Sequence, residues 1–196
     1  MNLEYIFPTP IWSFEYTDTC EEMIRHIKYC RKKSKGRIVS NKGGWQSEDC
    51  KATELSKCFD DLKENIVSAA RGCVDDFGST LDPWIDNVWF NINSRGNFNK
   101  PHFHAGAFLS GVFWLQAEPG CGNLTFCKNP QEDYTVHAHL GNPKMTILAS
   151  SGWEYEPIPG MCLLFPGWTI HRVDENKTDS ERISLAFNIR VDKNLD

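Results

Sequence analysis

The sequence predicts a mainly β protein with N-terminal helices, its strands folded as a sandwich or jelly roll. Two segments of helical apolar periodicity lie between residues 18 and 78. From residue 85 onward, short β-type runs follow one another, separated by Gly, Pro, Asn and Asp, with no helical period between them. The 196 residues suffice for one well-buried domain, and no repeat, low-complexity tract or linker divides them. The chain is therefore expected as a single domain over 1–196, with 1–80 as helical support and 85–191 as β core.

Each element has its own justification. Residues 3–16 read as two short strands broken by Pro8 and Pro10, which cannot donate to a ladder. Asp18 and Glu21 have capping-box spacing. Cys20, Ile24, Ile27 and Cys30 then recur at helical intervals. The basic run Arg31-Lys32-Lys33 suits the negative end of the helix dipole, and Gly36 can stop the helix. Residues 37–50, including Gly43-Gly44-Trp45, read as loop. A second helix is predicted from about Thr53 to Phe77, with the stripe Leu55, Phe59, Leu62, Ile66, Ala69, Ala70, Val74 and Phe77, and with Gly78 as its stop. Strands are predicted at 85–93, 107–117, 122–127, 134–140, 144–149, 161–165, 169–173 and 182–191. The two helices would cover one face of a sheet.

Composition narrows the function. Hydrophobic residues at 40% and charged residues at 24% are a globular balance that excludes a disordered chain. A net charge of −5 argues against binding large nucleic acids, which needs clustered cations. No apolar run is long enough to span a bilayer. The start, MNLEYIFPTP, has no basic region followed by an apolar core, so a secretory signal is not expected. The eight cysteines include no CxxC pair. Reduced, buried thiols in a cytoplasmic protein are the expectation.

The chemistry gathers in the β half. His102 and His104 form an HxH pair, and residues i and i+2 of a strand share a face, so the two imidazoles are expected to converge. A third imidazole, His171, follows a short apolar strand and a Pro-Gly turn. Three such ligands can occupy one face of an octahedral metal and leave the opposite positions open, as non-haem Fe(II) chemistry requires. A second pair, His137 and His139, is read as a polar strand face or loop. The run 182–191 alternates, with Ile183, Leu185, Phe187, Ile189 and Val191 on one side. Arg182, Ser184, Ala186, Asn188 and Arg190 take the other. Turned outward this would be a solvated edge. Turned inward, Arg182 and Ser184 would bind a carboxylate, since a guanidinium pairs with one bidentately and stays charged when desolvated.

These residues resemble the Fe(II)- and 2-oxoglutarate-dependent oxygenases, and more closely a group of them from bacteria and phages. The likeness runs through Phe7-Pro8-Thr9-Pro10, Gly44-Trp45-Gln46-Ser47 and Asn99-Lys-Pro-His102-Phe-His104. It continues through Ser110-Gly-Val-Phe-Trp114, Phe165-Pro-Gly-Trp168-Thr-Ile-His171 and Glu181-Arg-Ile-Ser184-Leu-Ala-Phe187-Asn188. The resemblance implies a double-stranded β-helix, Fe(II) held by His102 and His171, and 2-oxoglutarate as cosubstrate with its distal carboxylate on Arg182 and Ser184. It also implies oxidation of a substrate; the sequence leaves its class open between a peptide side chain, another small molecule and a nucleotide. At His104 the superfamily usually has a carboxylate, so His104 is either a third imidazole ligand or a neighbour of the metal sphere. At Phe113-Trp114 relatives often carry tyrosines. The Trp114 indole N–H can take over the contact to the cosubstrate, and Asn91 and Asn93 share a strand face from which they could reach it.

Two other readings start from the same residues. A cupin-type metalloprotein also places HxH and a distal His on a small β-barrel, but expects a Glu where Phe108-Leu109 stand and has no use for Arg182-Ile-Ser184. A non-catalytic jelly roll would present Trp12, Trp45 and Trp168 as a binding surface.

Overall fold

The computed structural model describes residues 1–18, 21–141, 143–144 and 146–191. In chain order the elements are β1 (Trp12–Glu15), α1 (Glu21–Lys33), β2 (Asn41–Lys42), β3 (Trp45–Gln46), α2 (Asp60–Asp76), β4 (Pro83–Asn93), β5 (Phe98–His102) and β6 (Leu109–Gln116). Then come β7 (Leu124–Cys127), α3 (Pro130–Leu140), β8 (Gly152–Tyr155), β9 (Met161–Pro166), β10 (His171–Val173) and β11 (Arg182–Val191). Two antiparallel sheets result: six strands in the order β1-β9-β6-β11-β4-β3, and five in the order β2-β5-β10-β7-β8. This is a jelly roll.

The two helices form for local reasons and stay for tertiary ones. α1 begins with Glu21 and Glu22 and ends with Arg31, Lys32 and Lys33, each set opposing the dipole end it meets. It buries Met23 and Ile27. The predicted residue Cys20 lies outside the described residues. α2 opens with Asp60 and Asp61 and buries Leu62, Ile66, Ala70, Cys73 and Val74. It begins later than the predicted Thr53, because Ala52–Glu54 and Lys57–Phe59 are separate 3-10 turns. Gly78, at φ +73°, ends it as expected. Both helices share one core with Phe90 and Ile92 of β4, Phe113 of β6 and Ile183, Leu185 and Phe187 of β11.

β11 is buried on both faces along most of its length. Its apolar side chains meet the helices. Its polar side chains face the space between the sheets, which is why Arg182 and Ser184 are only 3% and 7% exposed. That space is closed along one side by the short strap β2–β3. β2 pairs with β5 in one sheet and β3 with β4 in the other, so four residues and a turn stitch the two sheets together. The turn is Gly43-Gly44, both at positive φ. A Cβ on Gly43 would meet the Asn97 amide at 2.2 Å, so both backbone freedom and space require glycine. What the sequence presented as loop is thus a structural seam.

Four other expectations are corrected. Residues 134–140 are not a strand but the second half of α3. Asn129 caps that helix by accepting from the Gln131 N–H, Pro130 occupies its first turn, and Glu132 and Asp133 follow. Those start signals outweigh a short alternation that buries nothing. No strand forms among the described residues of 144–149. Of residues 3–16 only Trp12–Glu15 pairs. β5 and β8 were not anticipated, because Pro101 interrupts the first and the second is short and largely exposed.

The cysteines Cys30, Cys50, Cys58, Cys73, Cys121, Cys127 and Cys162 are free thiols. Burial pushes Cys73 up to about 12, with Asp76 adding to it, and raises Cys162 well above its ordinary value. Both stay protonated and unreactive. No helix is long and apolar enough to cross a membrane among the described residues.

Candidate active site

A cavity of about 500 Å³ opens between the sheets. Its floor is a ladder of facing residues on β4, β11 and β6. Arg182 pairs with Asn93, Ser184 lies between Asn91 and Trp114, and Ala186 between Trp89 and Val112. Asn188 lies between Asn87 and Ser110. The clean alternation of 182–191 therefore produces four successive polar or small rungs, about 7 Å apart along the strand.

One end of this ladder belongs to Arg182. Its Nη1 donates to the backbone carbonyls of Cys121 and Gly122 and, at 3.4 Å, to that of Asp174. Nε and Nη2 donate to no described protein group. Burial lowers its pKa, with the Cys121 and Asp174 side chains working against that, and the rest of the fork is turned to the cavity it lines. Beside it, Asn93 is 3% exposed and its Nδ2 has no acceptor. A buried N–H without a partner costs about 1–3 kcal/mol. An oxygen-rich ligand would remove that penalty. Ser184, Asn91 and Trp114 line the cavity next to these two.

Toward the other end, three imidazoles meet. β5 and β10 pair so that His102 stands directly opposite His171. Their ring centroids are 4.3 Å apart. His104 lies just beyond β5, where its backbone N–H donates to the Gly167 carbonyl, and its ring is 5.3 Å from His102 and 5.1 Å from His171. The expected convergence holds, though not by the expected route: of the HxH pair only His102 belongs to a strand, and the turn after it brings His104 round. Among the described residues these three form the one group whose donor atoms, all within 4.8 Å of one another, suit a metal ion.

The ring orientations follow from the hydrogen bonds. Nδ1 of His102 faces the Lys100 carbonyl at 2.7 Å, and Nδ1 of His171 faces the Thr169 carbonyl at 2.9 Å. Nδ1 of His104 lies 2.6 Å from Asn188 Oδ1. Each Nδ1 must therefore carry the hydrogen, which turns each Nε2 lone pair inward. Burial lowers the pKa of all three. It brings His171 down to about 3, with the neighbouring His102 and His104 adding to the effect. Neutral imidazoles with unprotonated Nε2 atoms are what a divalent first-row metal requires, so the donor set fits Fe(II).

Several lining residues escaped the sequence reading. Arg37, Ser40, Gln46 and Asp49 come from the strap and its flanks. Arg37 and Asp49 form an ion pair, and Ser40 Oγ lies 3.5 Å from His102 Nε2. Asp49 is the one carboxylate lining the cavity among the described residues, and its charge is felt at His104. No local motif announced it, because it reaches the site only when β3 pairs with β4. Of the other histidines, His137 and His139 sit on α3, apart from this cluster, in a helix rather than the predicted strand. Of the three tryptophans proposed as a surface, Trp45 is buried and Trp168 is 55% exposed.

The comparisons with known proteins agree with this geometry. The family model described as "Putative 2OG-Fe(II) oxygenase" matches residues 87–188, which is just over half of the chain and carries all three histidines and Arg182. A Pseudomonas putida prolyl-4-hydroxylase has a similar structure (TM-score 0.60, 15% identity, 93% of each chain covered). A viral collagen prolyl hydroxylase from Paramecium bursaria Chlorella virus-1, solved with 2OG, is also similar (TM-score 0.57, 14% identity, 92% of this chain and 95% of that one). So is HygX from Streptomyces hygroscopicus, solved with nickel, 2-oxoglutarate and hygromycin B (TM-score 0.60, 10% identity, 92% of this chain and 82% of that one). No curated protein matches significantly. A jelly roll with three metal-directed imidazoles and a half-engaged buried arginine, matched by that family model, belongs to the 2OG-Fe(II) oxygenase family: the chain is an oxygenase that uses Fe(II) and 2-oxoglutarate.

Proposed function

We propose that His102, His104 and His171 hold the Fe(II) through their Nε2 atoms, and that Arg182 receives the distal carboxylate of 2-oxoglutarate. Ser184, Asn93, Asn91 and Trp114 complete that end of the cosubstrate pocket. The observation that carries this reading is the arrangement of the three Nδ1 atoms. Each faces an oxygen acceptor, so three neutral Nε2 donors point at one place. The cradle for the cosubstrate is supported by the free Nε and Nη2 of Arg182 and the orphaned Nδ2 of Asn93.

Iron and the keto acid together supply oxidation of a substrate C–H bond at the expense of O₂, with 2-oxoglutarate decarboxylated to succinate. The protein's part is to bind and orient. Arg182 fixes the far carboxylate by charge and by its planar fork. Trp114, Leu124 and Phe165 wall the cavity with apolar surface, which excludes water and strengthens that pairing. The reaction is of hydroxylase type, and the substrate is a small molecule or an exposed side chain of a peptide. Trp89, Phe103 and the strap residues Arg37 and Asp49 line the same cavity and would meet it there.

The test is an anaerobic titration of 2-oxoglutarate into Fe(II)-loaded protein. A visible metal-to-ligand charge-transfer band is expected with wild type and is expected to vanish in His171→Ala. In Arg182→Met the band should appear only at much higher cosubstrate concentration. No band in wild type would overturn the ligand and clamp assignments together. A wild-type iron affinity in His104→Ala would remove His104 alone from the ligand set.

A further inference from the structure

We infer that Asn188, with Ser110 and Asn87 behind it, is the positioning residue that makes the third imidazole a metal donor. This rests on the reading of His104 as a ligand. His102 and His171 are oriented locally, each by the backbone carbonyl two residues before it. His104 has no such bond. Its Nδ1 meets only side chains: Asn188 Oδ1 at 2.6 Å and Ser110 Oγ at 2.7 Å.

An amide can present either its oxygen or its NH₂. In the structure it is the oxygen that faces the ring, and two contacts are made with the amide so turned. Asn188 Nδ2 donates to Asn87 Oδ1 at 2.9 Å, on the side away from His104. Ser110 Oγ donates to Asn188 Oδ1 at 2.8 Å. His104 Nδ1 therefore faces an oxygen at 2.6 Å and carries the hydrogen. In the opposite tautomer, Ser110 would be able to turn its hydroxyl to the ring, but the Asn188 oxygen would face a lone pair at that distance. The amide therefore sets the tautomer, and the serine reinforces it.

The three residues come from one rung. Asn87 on β4, Asn188 on β11 and Ser110 on β6 are direct cross-strand partners. Ser110 is fully buried, while Asn188 and Asn87 are half-buried and line the cavity. The acceptor is a neutral amide, so His104 stays a neutral imidazole, with none of the extra basicity that a carboxylate would confer.

The experiment titrates Ni(II) into metal-free protein by calorimetry and reads the His104 ring nitrogens by ¹⁵N NMR before metal is added. Wild type should show one tautomer, protonated at Nδ1. Asn188→Leu should show a tautomer mixture and bind Ni(II) about ten- to a hundredfold more weakly. Ser110→Ala, which leaves the amide in place, should keep the tautomer and lose only a few-fold in affinity. Asn188→Asp, of the same shape, keeps the acceptor and should hold Ni(II) at least as tightly as wild type with the Nδ1–H tautomer intact. A single Nδ1–H tautomer with wild-type affinity in Asn188→Leu would overturn the inference, as would a lost tautomer in Asn188→Asp. His104→Ala separates the two ideas. Unchanged Ni(II) binding there sinks the ligand reading itself. Weakened binding there, beside an unaffected Asn188→Leu, sinks only the positioning role.

Discussion

His102-Phe-His104 and His137-Ala-His139 are the same pattern in one chain, and they end differently. The first pair joins His171 across β5 and β10, and each of its rings has Nδ1 tied to an oxygen, which leaves Nε2 unprotonated. The second pair lies on α3, where residues two apart point in different directions. His137 spends both nitrogens, one on the Gly141 carbonyl and one on Ser151 Oγ. What separates them is the supply of second partners. An HxH pair becomes a metal site when something else holds the far side of each ring and a third donor arrives from a distant strand.

The largest expected effect breaks that contrast outright. His171→Ala should abolish stoichiometric iron binding and 2-oxoglutarate turnover, while His137→Ala leaves both at wild-type values; metal analysis and succinate release measure this. Next comes the proposed carboxylate clamp. Arg182→Met should leave metal affinity unchanged but weaken 2-oxoglutarate binding about a hundredfold or more, because losing one partner of a buried ion pair costs about 3–5 kcal/mol. Calorimetric titration of the cosubstrate into metal-loaded protein checks it.

Acid sharpens the comparison through His171. Burial holds its pKa at about 3, whereas in the unfolded chain it titrates near 6.5. The unfolded state therefore takes up a proton that the folded state refuses. Stability of the metal-free protein should fall as pH drops from about 6.5 toward 3, by about 1.4 kcal/mol per pH unit for this residue, and should not change on its account above that window. Urea unfolding at several pH values tests this, and His171→Ala should flatten the slope.

A subtler disturbance is Gly122→Ala. Gly122 sits at φ +96°, and a Cβ there would lie 2.7 Å from Arg182 Nη1 and 2.2 Å from the Asp174 carbonyl. The guanidinium must shift, and 2-oxoglutarate binding should weaken about tenfold, which corresponds to about 1.4 kcal/mol. The smallest effect is at the other pair. Asn129→Ala removes the cap of α3 and should cost about 1 kcal/mol in that helix. Turnover should stay unchanged, with hydrogen exchange reporting the local loss.

Much of this was readable before any coordinates. The stripe Leu62, Ile66, Ala70 and Val74 marked α2, and the period-2 pattern of 182–191 marked β11 with its polar face. His102, His104, His171 and Arg182 stand out because an HxH pair, a distal His and an Arg-x-Ser follow one another in the order that resembles the oxygenase family. Asp49, Arg37 and Ser40 do not, since their role depends on a strap that pairs with two sheets at once. Asn188 is legible as a polar strand position and as the end of the motif Glu181–Asn188, with nothing in the sequence to tie it to His104. The stretch 134–140 misled because a brief alternation mimics a strand when nothing nearby is buried.

By itself, then, the order of residues determined the elements whose apolar period is long, the jelly-roll class and the kinds of side chain available for chemistry, because periodicity and residue type are local properties. Which polar face turned inward, which of two HxH pairs gained a third partner, and which oxygen met the back of His104 were decided only by tertiary structure. Those outcomes depend on contacts between residues that lie tens of positions apart, and such contacts exist only once the two sheets have closed on each other.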